Sequence, residues 1–400
     1  MKENKKVKFK LKHLVRHFGF KKDELTEIRK MYSGEFFNPK DEAYKKLLKI
    51  SASLCEEYNH AGEDLGPKPS LWAIWRNYRR KCKIVAKLFP IKGILSSVGP
   101  DLQVVVGLVD FNGCGFINKG CHFSPYTLVD CDNYTIFANK ITIGDDDVTQ
   151  KGNKIRLGKI HFGADTWMCA GATIKNNSTI GTNTVVGAGA TVVGKIGSYK
   201  VAIGRPAVEY KTIDEGYKHL DCKAKPVETE QIKKAVEVFK RCGFSGKFTQ
   251  AKRLVAGLPF NTTNLLLGRM YLYTHRLCVE FNSAKTSAER KEEILNILFP
   301  HHGKNLRVGT GLYVDLFGIT EIGNNVTLGK NCYLAGLVKI EDNVTIGDDV
   351  SLFASGHGMH GKERRVGFSL FKGLYEYTIV DSITVKKGIT IADDCVVAPK

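Results

Sequence analysis

The feature that most restricts the fold is a hydrophobic period of six. From Ile322 an aliphatic residue returns at Leu328, Leu334, Ile340, Ile346 and Leu352, and a second lane runs Val326, Cys332, Val338, Val344 and Val350. A lone strand alternates every two residues and an α-helix repeats every 3.6, so a sustained step of six needs a coil whose turns recur at that interval. Beside the lanes stand Gly323, Asn324, Asn325, Gly329, Asp342, Asn343, Gly347, Asp348 and Asp349, residues that tolerate tight or left-handed backbone. Three short strands per turn then close a triangular parallel β-helix with the lanes inside.

A related ladder lies earlier. Phe111, Ile117, Phe123 and Val129 keep the step of six, as do Phe162, Met168, Ile174, Ile180, Val186 and Val192, with small Thr166, Ala172, Ser178, Thr184 and Ala190 in the companion lane. Each coil follows sequence with spaced Leu and Ile among Lys and Glu, such as "SAERKEEILNILF", which predicts amphipathic helix. "MYSGEFFN" (31–38) and "LLLGRMYL" (265–272) open similar stretches, which close on "KLFP" and "ILFP" at Pro90 and Pro300. The chain thus reads as two helix-plus-coil copies in tandem. The expected division is a basic N-terminal extension 1–30, a helical cap 31–97, a β-helix 98–215, a linker and second cap 216–304, and a β-helix 305–400.

The second coil is interrupted. After Leu352 the register resumes only at Ile383, Ile389 and Cys395, so the segment from Phe353 to Ser382, containing "SGHGMHGKERR", leaves the scaffold and returns. Segments thrown out by a rigid scaffold are where binding and catalytic residues concentrate.

Composition narrows the setting. Eleven cysteines without CxxC pairs, several at apolar positions, read as reduced thiols, and no metal site is expected. No apolar stretch in the basic first thirty residues reaches the length of a signal core or membrane span, which predicts a cytoplasmic chain. The net charge of +19 favours polyanions such as nucleic acid, anionic lipid or cofactor phosphates without choosing among them, and "RNYRRKCK" (76–83) lacks the interleaved aromatic readout of a nucleic-acid module.

With these motifs in place, the chain resembles the hexapeptide-repeat acyltransferases, in particular the maltose and galactoside O-acetyltransferase group. Gly34-Glu35-Phe36-Phe37 and Tyr58-Asn59 match that group's cap in copy one, and Gly268-Arg269-Met270-Tyr271 and Phe281-Asn282 are the corresponding residues expected in copy two. The resemblance implies a mainly β chain of two left-handed parallel β-helix segments, each preceded by a small helical cap. It also implies a trimer and acetyl-CoA-dependent transfer to a hydroxyl of a sugar or sugar-like acceptor. By the same match His357 is the general base, and Asn331 in "KNC" and Asp315 in "VDLFG" contact the acceptor. The residue types suit the task, since a hydroxyl is a poor nucleophile at neutral pH and an imidazole can take its proton during attack on a thioester.

Both copies depart from the pattern. In copy one Asp147 stands where the histidine is expected and Gly120 where the asparagine is, while His161 lies on the coil, so this copy reads as catalytically degenerate. It keeps "VGAGATVVGKIG" and "AIGRPAVEYK", which resemble the family's cofactor rungs and make Ala188, Gly189, Lys195 and Lys211 the candidate coenzyme A contacts. Copy two stops at Lys400 in mid-coil, before any such rungs, so the expectation is either that the sequence is cut short there or that the missing rungs come from another segment or another chain. The competing reading is a degenerate β-helix scaffold or regulator.

Overall fold

A computed structural model describes residues 2–62, 71–91, 95–145, 147–213, 224–261, 264–361, 368–369, 373–374, 377–380, 382–393 and 395–397. It divides into two compact units, Met1–Gly216 and Tyr217–Lys400. In each, helices precede a coil of short parallel strands.

In the first unit the helices are α1 (Lys2–Phe18), α2 (Thr26–Ser33), α3 (Glu42–Asn59) and α4 (Leu71–Leu88). In the second they are α5 (Glu230–Arg241), α6 (Thr249–Val255), α7 (Leu265–Asn282) and α8 (Ala288–Leu298). The caps superimpose in sequence with an offset of 223: Thr26 on Thr249, Gly34 on Gly257, Phe37 on Phe260, the helix-capping Asp41 on Asn264, and Asn59 on Asn282. This corrects the pairing of Gly34 with Gly268. Gly268 lies inside α7, whereas Gly34 and Gly257 both end a helix at φ of 72° and 66°, where glycine relieves the Cβ clash. "LLLGRMYL" imitates the opening motif only in composition.

One asparagine fastens each cap to its coil. Asn59 Oδ1 accepts from Leu102 N at 2.9 Å and its amide donates to Leu102 O at 3.1 Å. Asn282 likewise accepts from Gly311 N and Leu312 N at 2.8 and 3.0 Å and donates to Leu312 O at 2.9 Å. The Tyr58-Asn59 and Phe281-Asn282 pairs are therefore structural. Asn282→Ala leaves two amide hydrogens and a carbonyl without these partners, and a loss of about 2–3 kcal/mol in denaturant unfolding is expected.

The coils follow the period of six on three faces. In the second unit Leu328 lies level with Ile346, Leu334 with Leu352, and Ile322 with Ile340, so one turn takes 18 residues. Ile340 then pairs with Val385 and Leu352 with Val397, a step of 45, so 27 residues leave the coil in between. The inward residues Ile322, Leu328, Leu334, Ile340, Ile346 and Leu352 are all buried. At the corners Asn305, Asn325, Asn331, Asn343 and Asp349 adopt φ between 55° and 61°, the left-handed turn for which their side chains suit them.

The first coil has wider early turns, with Gly115 level with Thr135 and His122 with Thr142, and later turns of 18. Its interior carries stacked rings: Phe137 meets Phe111, Phe123 and Phe162 edge-on, with centroids 6.3, 5.5 and 5.1 Å away. The rung position level with Phe111 and Phe162 belongs to Cys131, two residues beyond the Val129 of the sequence lane, although Val129 is also buried.

The basic extension is part of this unit. Helix α1 buries Val7, Leu11 and Leu14 in the same core as the coil. It sets Lys10 Nζ 2.9 Å from Asp110 Oδ1 and Lys6 Nζ 2.8 Å from Asp130 Oδ1. Burial pushes the Lys10 ammonium down and the Asp110 carboxyl up, each opposed by the other's charge. Removing one charge strands the other, so Lys10→Met is expected to cost about 3 kcal/mol, and adding Asp110→Leu should recover most of it. A double-mutant cycle by urea unfolding checks both values.

Candidate active site

The segment carrying His357 is held at its start and along one edge. After Ser351–Phe353 completes a rung, Ala354 N donates to Ala335 O at 2.7 Å and the chain leaves the coil as the strand Ser355–His357. That strand runs antiparallel to Tyr377–Val380, with His357 opposite Thr378. Thr378 is in turn paired with Phe260, in the two-residue strand that follows α6. His357 is half-buried. Backbone pairing thus ties the histidine to both coil and cap, which fixes its position as a free loop would not. Of "KERR", Arg364 and Arg365 lie outside the described residues.

Asp315 lies at the end of the face from which that strand departs. Its N donates to Leu334 O at 3.0 Å, and its Oδ1 accepts from Tyr333 Oη at 2.5 Å. Burial, then the Asp315 charge and the other tyrosines, holds the phenols of Tyr333 and Tyr271 well above their ordinary range, so Tyr333 remains a donor. The Tyr313 ring stands nearly perpendicular to Tyr333 at 4.6 Å, and Phe353 continues the series at 4.7 Å. These aromatics escaped the sequence reading. The signal was present in Tyr313 and Tyr333, which flank inward residues at matching places on successive turns.

Asn331 is placed differently. It is exposed, stands at the corner before Tyr333 with φ of 55°, and donates its N–H to Thr310 O at 2.8 Å. A Cβ on Gly311 would fall 2.0 Å from its Oδ1, so the corner is built around it. Asn331 precedes the strand that His357 follows one rung on, which sets the two at opposite ends of one face.

In the first unit the excursion is a short hairpin, Thr149–Lys151 with Lys154–Arg156, and Phe37 pairs with Ile155 as Phe260 does with Thr378. The residue opposite Ile155 is Gln150, so by register Gln150, and not Asp147, takes the place of His357. The sequence alignment missed this because the hairpin starts two residues later on its coil. Asp147 instead lines a cleft of about 540 Å³ with His122, Ser124, Asp145 and Lys175. Gly120 is a left-handed corner at φ 73°, and His161 projects from the coil with Nδ1 3.6 Å from Asp130 and Nε2 3.7 Å from Asp132.

The candidate cofactor residues separate into groups. Ala188 and Gly189 form a corner where Arg205 Nε donates to Gly189 O at 2.5 Å. A Cβ on Gly189, already at φ 64°, would approach the Arg205 guanidinium to 3.0 Å. Lys195 is exposed on another face, opposite Thr179, and Lys211 is exposed on the antiparallel edge strand Ala207–Thr212. Arg205 was missed by sequence analysis, although it precedes the proline of the closing motif. Among the described residues no group of three His, Cys, Asp or Glu side chains is arranged to hold a metal ion, and no helix is long and apolar enough to cross a membrane.

No family model and no curated protein matches the chain. Solved structures do. Over 48% of its length the chain is similar to a maltose O-acetyltransferase from Clostridium difficile 630, covering 98% of that chain at 23% identity and a TM-score of 0.41. A hexapeptide-repeat-containing acetyltransferase from Vibrio cholerae O1 biovar eltor, solved with acetyl coenzyme A, is matched in full by 48% of this chain at 18% identity and a TM-score of 0.41. A galactoside acetyltransferase solved with coenzyme A is covered to 98% by 51% of this chain, at 20% identity and a TM-score of 0.37. Each likeness is one of fold and spans about half of the present chain.

Proposed function

We propose that the chain is an acetyl-CoA-dependent O-acetyltransferase acting on a hydroxyl of a sugar or sugar-like acceptor, with His357 as general base. The observation that carries this reading is the strand Ser355–His357, which leaves the coil and is pinned through Tyr377–Val380 to the cap strand at Phe260. A base on a strand paired along one edge, and tied to the coil at its start by Ala354, is pre-positioned for proton transfer, which lowers the entropic part of the barrier.

In the reaction His357 takes the proton of the acceptor hydroxyl as its oxygen bonds to the acetyl carbonyl carbon. The carbon–sulfur bond then breaks, and the departing thiolate takes the proton back from the imidazolium. Asp315, oriented by Tyr333, accepts a hydrogen bond from a second acceptor hydroxyl. Asn331 is the other proposed acceptor contact, from the far corner of the face. Ala188, Gly189, Lys195 and Lys211 are the proposed coenzyme A contacts, joined by Arg205. The three cations suit phosphate and pyrophosphate. A trimer is the proposed assembly.

The test is product identification. The full chain is incubated with acetyl-labelled acetyl-CoA and a panel of mono- and disaccharides, and the sugars are analysed by mass spectrometry. An added acetyl ester on at least one sugar is expected. Transfer to amines alone, or to none of the panel while the protein is folded, overturns the proposal in favour of an amine acyltransferase or a scaffold. In the same assay Lys195→Ala with Lys211→Ala should raise KM for acetyl-CoA about tenfold, with kcat little changed.

A further inference from the structure

Helix α4 presents an outward face that neither the coil nor the proposed chemistry uses. Ile84, Val85 and Leu88 are buried on its inner side, while Trp72 and Trp75 are 62% and 52% exposed. The positions 72, 75, 76, 79 and 83 follow the helical period, so Trp72, Trp75, Arg76, Arg79 and Lys83 share one stripe. The helix has six Lys or Arg and no acidic residue. Exposed indoles on a helix of one charge sign are not explained by solubility, which a lysine or glutamate would serve better.

We propose that this face of α4 is a binding surface for anionic lipid bilayers, which it meets lying in the headgroup plane. Indole rings favour that depth, where one edge is apolar and the other wet, and guanidinium and ammonium groups are drawn to lipid phosphate and carboxylate. The arrangement of the rings favours lipid over nucleic acid. The Arg76 guanidinium lies over the Trp72 ring and that of Arg79 over Trp75, each 4.9 Å from the ring centroid. Each indole thus has one face covered by a cation one turn away, where a single-stranded nucleic acid would stack a base. The same pairing lets the cation follow the ring toward the acyl boundary, because the ring replaces part of its hydration. No described helix can span a bilayer, so attachment is to its surface.

The protein carries its own probe, since Trp72 and Trp75 are two of its three tryptophans and the third, Trp167, is 9% exposed. The full chain is titrated with vesicles of phosphatidylcholine alone and of phosphatidylcholine and phosphatidylserine in equal parts, with and without brominated acyl chains. The expected result is at least about tenfold stronger partitioning onto the anionic vesicles, with blue-shifted emission, quenching by bromine and weakening by salt. Trp72→Ser with Trp75→Ser should abolish the shift, and Arg76→Gln with Arg79→Gln should remove most of the anionic preference. Both pairs are exposed, and circular dichroism checks that the helices persist. Equal binding to the two vesicle types, no quenching, or a single-stranded RNA that protects these tryptophans and displaces the vesicles overturns the proposal. So does self-association that buries them in the absence of lipid.

Discussion

His357→Ala is expected to lower kcat for the proposed acetyl transfer by about 10²–10⁴-fold, the usual contribution of a positioned general base, with KM for either substrate little changed. The division between the two constants follows from the chemistry. In the proposed reaction the imidazole receives a full proton only as the hydroxyl attacks, so its removal should be felt in the transition state more than in ground-state binding. The strand itself should survive. Its pairing with Tyr377–Val380 is through the backbone, and alanine leaves those hydrogen bonds in place. Steady-state kinetics with circular dichroism on the same sample separate a lost base from a lost fold. Asp315→Asn should instead raise KM for the acceptor, because a carboxylate that takes a hydrogen bond from Tyr333 is a fixed acceptor and becomes an amide.

Phe137→Ala is expected to destabilise the first unit by about 3–5 kcal/mol. Phe137 is fully buried, and its ring is met edge-on by Phe111, Phe123 and Phe162 from the surrounding strands. A coil is closed on all three sides by hydrogen-bonded ladders, so its walls cannot collapse into the cavity, and the cost should fall at the upper end of the range. Phe137→Leu keeps most of the volume and should lose appreciably less. Urea unfolding followed by circular dichroism measures both.

The sequence made the coils legible because a β-helix repeats one environment at every sixth residue. Leu328, Leu334 and Ile340 each fill the same kind of inward place, and the asparagines between them each turn the same kind of corner. Such redundancy averages out local noise. The caps have none. Gly34 and Gly257 end their helices in the same way, but Gly268 with its neighbours shares the composition of the motif, and only the fold shows it inside α7. The excursion was legible as a gap in the lanes, from Leu352 to Ile383, yet its strand pairing was not. Antiparallel partners such as His357 with Thr378 and Thr378 with Phe260 are distant in sequence and follow no period.

The candidate site divides along the same line. His357 is proposed from the resemblance and from the loop that leaves the ladder around it, and Asp315 from the resemblance alone. Tyr333, which orients Asp315, and Arg205, which covers Gly189, were missed because each acts through a contact between turns. Asn331 shows the converse. The residue type suits a substrate contact, but a left-handed corner needs asparagine as well, and the corner accounts for its φ of 55°. In the first unit Gln150 replaces the imidazole by register, and an uncharged amide cannot take a proton from an alcohol at neutral pH.

The most direct measurement is the rate of thiol release from acetyl-CoA by the full chain, with an accepted sugar and with the same sugar methylated at the hydroxyl that receives the acetyl group. Release that requires the free hydroxyl, and that is lost in His357→Ala but kept in Asp147→Asn, is the predicted result. Release at the same rate from the methylated sugar, or undiminished release by the His357→Ala protein, would contradict an imidazole in the second unit acting on an acceptor hydroxyl.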